Sequence, residues 1–173
     1  MTRAFIVFAA VAAAASSAAA QQPTPSVCLA AAHHQFDFWV GEWSVTDQTS
    51  KQFAGVSHIE SIYGGCVIRE NWAEEGFRGG SLNSYWEADK QWHQTWMDSA
   101  GAFRHFIGGL DDQGRMVMTA HQPDPSGSGK VRLIRLTFTA NKDGTVRQYS
   151  DYSSDDGATW KFRYDYLYRR LDR

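Results

Sequence analysis

An antiparallel, up-and-down β-barrel of about ten strands is the fold this sequence predicts, on three observations. Short runs of alternating apolar and polar residues recur from Gly41 to the C-terminal end. Nearly every break between them is rich in Gly, Asp, Asn, Ser or Pro, the residues that tight turns require. No long helical pattern, internal repeat or linker interrupts the series. Consecutive strands joined by short turns form a meander, and a meander of this length hides its edges best by closing on itself.

The chain begins with a segment of a different kind. Met1-Thr2-Arg3 is a short basic start, Ala4 to Ala14 is apolar, and Ser16 to Ala20 are all small. That order predicts a secretory signal over residues 1–20, cut after Ala20, and hence a periplasmic or secreted protein. The apolar run is too short for a stable membrane span, which needs about 20 residues. Residues 21–32, opening Gln21-Gln22-Pro23-Thr24-Pro25, predict a flexible leader, and residues 33–173 a single domain. Phe36, Trp39 and Val40 stand at i, i+3, i+4 spacing, which predicts a helical turn just before the first strand.

Strands are expected near 42–47, 54–62, 66–73, 81–87, 91–97, 103–110, 115–121, 130–140, 145–153 and 160–170. Tyr63-Gly64-Gly65, Gly76 with Gly79-Gly80, Asp111 to Gly114, Pro123 to Gly129, and Asp155-Asp156-Gly157 are among the breaks. In the last strand, alternation puts Trp160, Phe162, Tyr164, Tyr166 and Tyr168 on one face and Lys161, Arg163, Asp165 and Arg169 on the other. An aromatic inner face with a charged outer face suits a barrel wall. For 66–73 and 130–140, either face fits the interior. Ser153 to Trp160 matches the S-x-D-x-G-x-T-W hairpin motif of sialidase-type propellers. A propeller needs several copies, so this single one reads as a structural turn.

The formal net charge of −2 excludes a strongly basic nucleic-acid surface. Two cysteines, Cys28 and Cys66, in an exported chain predict one disulfide, with two free thiols as the alternative. They do not complete a four-ligand zinc site, and the six histidines show no metal-ligand spacing, so no metal is expected. No G-x-S-x-G elbow or Cys–His arrangement suggests a nucleophile, so no catalytic residue is assigned.

Gly41-Glu42-Trp43, following an aromatic turn, is similar to the G-x-W triplet of lipocalins and other calycins. The likeness implies that Trp43 packs across the closed end of the barrel beneath Arg169 or Arg170. Phe36 to Trp43, Gly64 to Ile68, Glu70-Asn71-Trp72, and Trp92 to Trp96 with Asp98 resemble a family of uncharacterised bacterial secreted proteins. That family has a lipocalin-like domain of unknown function. The resemblance implies a fold and no activity, since a fold alone does not license a function. Some barrels of this general shape hold haem through a C-terminal His. Here no His follows His121, leaving only His105 should its face turn inward, and no cofactor is expected.

Candidate binding residues come from alternation. Period two groups Cys66, Ile68, Glu70 and Trp72 on one face, making Glu70 a buried carboxylate if that face is inside, with Arg104 or Arg135 as its partner. Gln94 and Trp96 share a face with Trp92 and Asp98, as Asn83 does with Tyr85 on the strand before. Glu70, Trp72, Asn83, Tyr85, Gln94 and Trp96 thus form the expected wall of a site for a small apolar or amphipathic ligand. An enzyme using the interior carboxylates Glu70 and Asp98 is the alternative, and an interaction protein with a filled core is a third.

Overall fold

The computed structural model describes residues 28–171. The expected signal segment and most of the leader lie outside these residues. Two short 3-10 turns, Ala31–His34 and Asp37–Trp39, stand where one helical turn was expected. Ten strands follow: β1 (Gly41–Asp47), β2 (Phe53–Ile62), β3 (Val67–Glu74), β4 (Phe77–Trp86), β5 (Gln91–Asp98), β6 (Phe103–Leu110), β7 (Met116–Pro123), β8 (Val131–Ala140), β9 (Val146–Ser153) and β10 (Lys161–Arg170). Each pairs antiparallel with its neighbours in sequence, and β1 pairs with β10 to close the barrel. Closure leaves no unpaired sheet edge among the described residues.

One end of the barrel is plugged. Phe36 stacks on Trp39 with ring centroids 4.9 Å apart, and both lie against Phe138. Trp43 Nε1 donates to the Trp39 carbonyl at 2.9 Å, and the Arg170 guanidinium lies 4.5 Å over the Trp43 ring. Gly41 adopts a φ of 152° beside this stack, and a Cβ there would collide with Arg170. The G-x-W glycine is therefore favoured by its backbone conformation, with the guanidinium that caps the tryptophan close against it. Arg169, its neighbour, is exposed. A Cys28–Cys66 disulfide, with Cα atoms 5.2 Å apart, fastens the start of the described chain to the β2–β3 connection at this end.

Three details depart from the sequence expectation. Cys66 precedes β3 rather than sharing its inner face, because Tyr63–Gly65 forms a 3-10 turn. β4 begins at Phe77, so Gly79 and Gly80 lie inside a strand. Gly79 leaves room for the Trp96 ring, which a Cβ would strike. In β10 the register shifts between Phe162 and Tyr164. This bulge turns Phe162 outward and Arg163 inward, breaking the simple alternation while Tyr164, Tyr166 and Tyr168 stay inside. His105 faces solvent, its ring nitrogen 3.1 Å from that of His93, so it offers no interior ligand. The open question for β8 resolves with Ile134, Leu136 and Phe138 inside.

Candidate functional site

The unplugged half of the barrel holds a cavity of about 350 Å³, within the range of small-molecule pockets. Its walls come from strands on both sides of the barrel. β3 contributes Trp72, β5 contributes Trp96, and β10 contributes Tyr164 and Tyr166. Trp72 stacks on Tyr166 at 5.9 Å with planes 5° apart, and Tyr166 stacks on Tyr164 at 4.5 Å. Two glycines shape this wall, since Gly55 lies under the Trp72 ring and Gly79 under that of Trp96. Phe106, Leu136 and Tyr168 bound the cavity toward the plug.

Glu70 stands at the cavity floor, 5% exposed. Its carboxyl accepts from Ser57 Oγ at 3.2 Å and Ser81 Oγ at 3.0 Å. The chain continues as Asn83 Nδ2 donates to Ser81 Oγ at 2.9 Å, and Gln94 Nε2 to Asn83 Oδ1 at 2.7 Å. The strand register explains the network. Glu70 pairs with Ser81, and Ile68, Asn83 and Gln94 fall in one row across β3, β4 and β5. Burial pushes the Glu70 carboxyl up to about 7, against the opposing pull of the Ser81 and Ser57 hydrogen bonds. The expected ion pair with Arg104 or Arg135 is absent. Arg104 pairs with Asp98 at 3.3 Å, and Arg135 pairs with Asp151 at 2.6 Å on the outer face.

Asp98 lies near the rim. Burial opposes its ionisation, but hydrogen bonds from Trp96, Ala102, Arg104 and Ala100 outweigh that and hold the carboxyl below its usual range. It organises the β5–β6 turn. Among the described residues no three His, Cys, Asp or Glu side chains gather as a metal site.

The family described as "Protein of unknown function (DUF1579)" matches residues 29–170. The chain belongs to that family. No curated protein matches it. Within this DUF1579 domain, Glu70, Trp72, Gln94 and Trp96 come together around the cavity. Asn83 is buried behind its floor in the hydrogen-bond chain. Tyr85 lies instead toward the plug, its ring 5.3 Å from His33 and 6.3 Å from Trp92. Arg104, Arg163 and Tyr164 line the cavity as well. Of these, Tyr164 was visible in the alternation of the last strand, and Arg163 was hidden by the bulge. The DUF1579 domain carries its Asp-turn as a structural hairpin. Asp155 accepts from Ser153 and Thr159, which hold its carboxyl down to about 2, and Trp160 Nε1 donates to the Gly157 carbonyl.

Proposed function

We propose that this protein is an exported binding protein whose barrel takes up a small amphipathic molecule. The observation that carries the reading is the open-ended cavity of about 350 Å³ with a stacked aromatic wall and a hydrogen-bonded polar floor. Apolar walls with a few placed polar groups are the usual make-up of a ligand site. Trp72, Trp96, Tyr164 and Tyr166 would hold the apolar body, and Glu70 and Gln94 would face its polar part. The disulfide suits an oxidising compartment, which supports export. The ten-strand closure with Arg170 over Trp43 supports the lipocalin-like resemblance. Native mass spectrometry of the protein recovered from its own cells tests the reading. A small adduct on the parent, lost in Trp96→Ala, is the expected result. A bare mass in the parent, or an adduct indifferent to the substitution, overturns it.

One observation favours a second reading, an enzyme. Glu70 is an inward carboxyl poised near neutrality at the end of a hydrogen-bond chain, as a general acid or base requires. Asp98, tied into its turn, is poorly placed as a proton-exchanging partner. A Glu70→Gln variant that still binds the recovered molecule but no longer converts it would favour this second reading.

A further inference from the structure

Four strands that run inward from the open end start with an apolar residue followed by arginine; in β4 (Phe77-Arg78) Phe77 lines the cavity and Arg78 is exposed, and in the other three the facing is reversed. Phe103-Arg104 begins β6, Val131-Arg132 begins β8, and Phe162-Arg163 falls at the start of β10. Phe103, Val131 and Phe162 are all exposed on the outer face. The arginines follow them inward: Arg104 and Arg163 line the cavity, and Arg132 shares its face with Ile134 and Leu136. For Arg163 this orientation depends on the β10 bulge.

These cations are poorly compensated. Arg104 has Asp98, a carboxylate already shared with Trp96 and two backbone amides. Arg132 lies 5.0 Å over the Tyr152 ring, and its Nε is buried without a hydrogen-bond partner. Arg163 donates to Ser150 Oγ at 3.1 Å, lies 5.4 Å over Tyr164, and forms no ion pair among the described residues. Burial, together with the like charges of Arg104 and Arg132, depresses the Arg163 guanidinium despite an opposing pull from Tyr164. Gathering three partly desolvated cations with Asp98 as the one carboxylate in direct contact among the described residues costs free energy that a bound anion would return. Of the acids facing the same space, Glu70 at the floor is protonated up to about neutrality and Asp98 is engaged, while Glu74 lines the cavity near Tyr166 and forms no ion pair with these arginines among the described residues.

We propose that the open end of the cavity is an anion subsite, where Arg163, flanked by Arg104 and Arg132, grips the carboxylate of an amphipathic ligand whose apolar body lies along Trp72, Tyr164 and Tyr166. The guanidinium fork suits such a head group, because it offers paired donors to a planar oxyanion. This inference rests on the cavity being a binding site and adds the charge of what fills it.

Two dyes of one aromatic skeleton separate the two ideas. Anilinonaphthalene sulfonate carries an oxyanion, and its parent phenylnaphthylamine carries none. Both should bind the wild-type protein, the sulfonate more tightly. Arg163→Gln should weaken the sulfonate about tenfold or more, the scale of a lost charge-assisted hydrogen bond, and leave the naphthylamine within about twofold. Arg163→Lys should keep part of the preference. In the wild type, added salt should weaken the sulfonate and spare the naphthylamine, a comparison that needs no variant to fold. Equal losses for both dyes, no loss for either, or salt-independent sulfonate binding overturns the anion subsite while leaving the binding reading standing. If neither dye binds the wild type, the binding reading fails and the subsite with it.

Discussion

At one end of the barrel Phe36, Trp39, Trp43, Phe138 and Tyr168 are at most 1% exposed and fill the lumen. At the other, Trp72, Trp96, Tyr164 and Tyr166 border open space. Both ends spend aromatic rings freely, and both place arginine beside them, yet the arginines differ. Arg170 seals the plug, lying over Trp43 with Nη1 directed at the Val40 carbonyl 3.3 Å away. Arg163 lines the cavity with the Ser150 hydroxyl as its one hydrogen-bond partner among the described residues. Packing is concentrated at one end of the barrel axis, and open space with under-paired charge at the other. The plug is packed like an interior, where every methylene is felt. The open half holds cavity and charge that packing alone would not select.

Truncation at the plug should break the comparison most severely. Trp43→Ala should cost about 3–5 kcal/mol, as a fully buried large-to-small change does, read from urea unfolding. A nearly neutral result would mean that the plug is not a core. Removing the disulfide comes next. Cys28→Ser with Cys66→Ser opens a loop whose closure contributes roughly 3–4 kcal/mol in the chain-entropy model. The loss should appear in thermal unfolding and be matched by reduction of the parent.

Glu70 sharpens the comparison through pH. Its carboxyl titrates at about 7 when folded, above its ordinary value near 4.5. Below the lower value both states hold the proton, and the full contribution to stability is present. As pH rises toward about 7 only the folded protein keeps it, so stability falls by roughly 3 kcal/mol and then levels off. Glu70→Gln should flatten that decline in urea midpoints measured across the window. A variant with the parent's slope would remove Glu70 as its source. The smallest effect belongs to the cavity wall. Trp96 is only half-buried beside empty space, so Trp96→Ala should cost about 1–2 kcal/mol, well under the value at Trp43. A cost equal to that at Trp43 would erase the distinction between the ends.

Sequence legibility followed the same division. Strand positions could be read, apart from the start of β4 where Gly79-Gly80 reads as a break, because turn residues bound each alternating run. The Gly41–Trp43 triplet was readable because its glycine answers a local backbone demand, a φ of 152°. Glu70, Trp72, Gln94 and Trp96 could be gathered in advance because β3 and β5 flank β4 and keep unbroken alternation. Arg163 could not. The β10 bulge lets it lie inside between Tyr164 and an outward Phe162, and no turn residue announces the shift. The partner of Glu70 was equally hidden. Two serines on the flanking strands satisfy it, and small hydroxyls give weaker sequence signals than the arginines expected in their place.

If the open cavity is where a small molecule binds, blocking its mouth should abolish binding. Ala102 lines it near the rim, in the β5–β6 connection. Ala102→Trp puts an indole into the opening while leaving the plug, the disulfide and the floor network untouched. Titration with phenylnaphthylamine, followed by dye fluorescence, compares this variant with the parent at matched thermal stability. Saturable one-to-one binding by the parent and its loss in Ala102→Trp is the result predicted. Undiminished binding by the plugged variant would place the dye elsewhere and contradict the account.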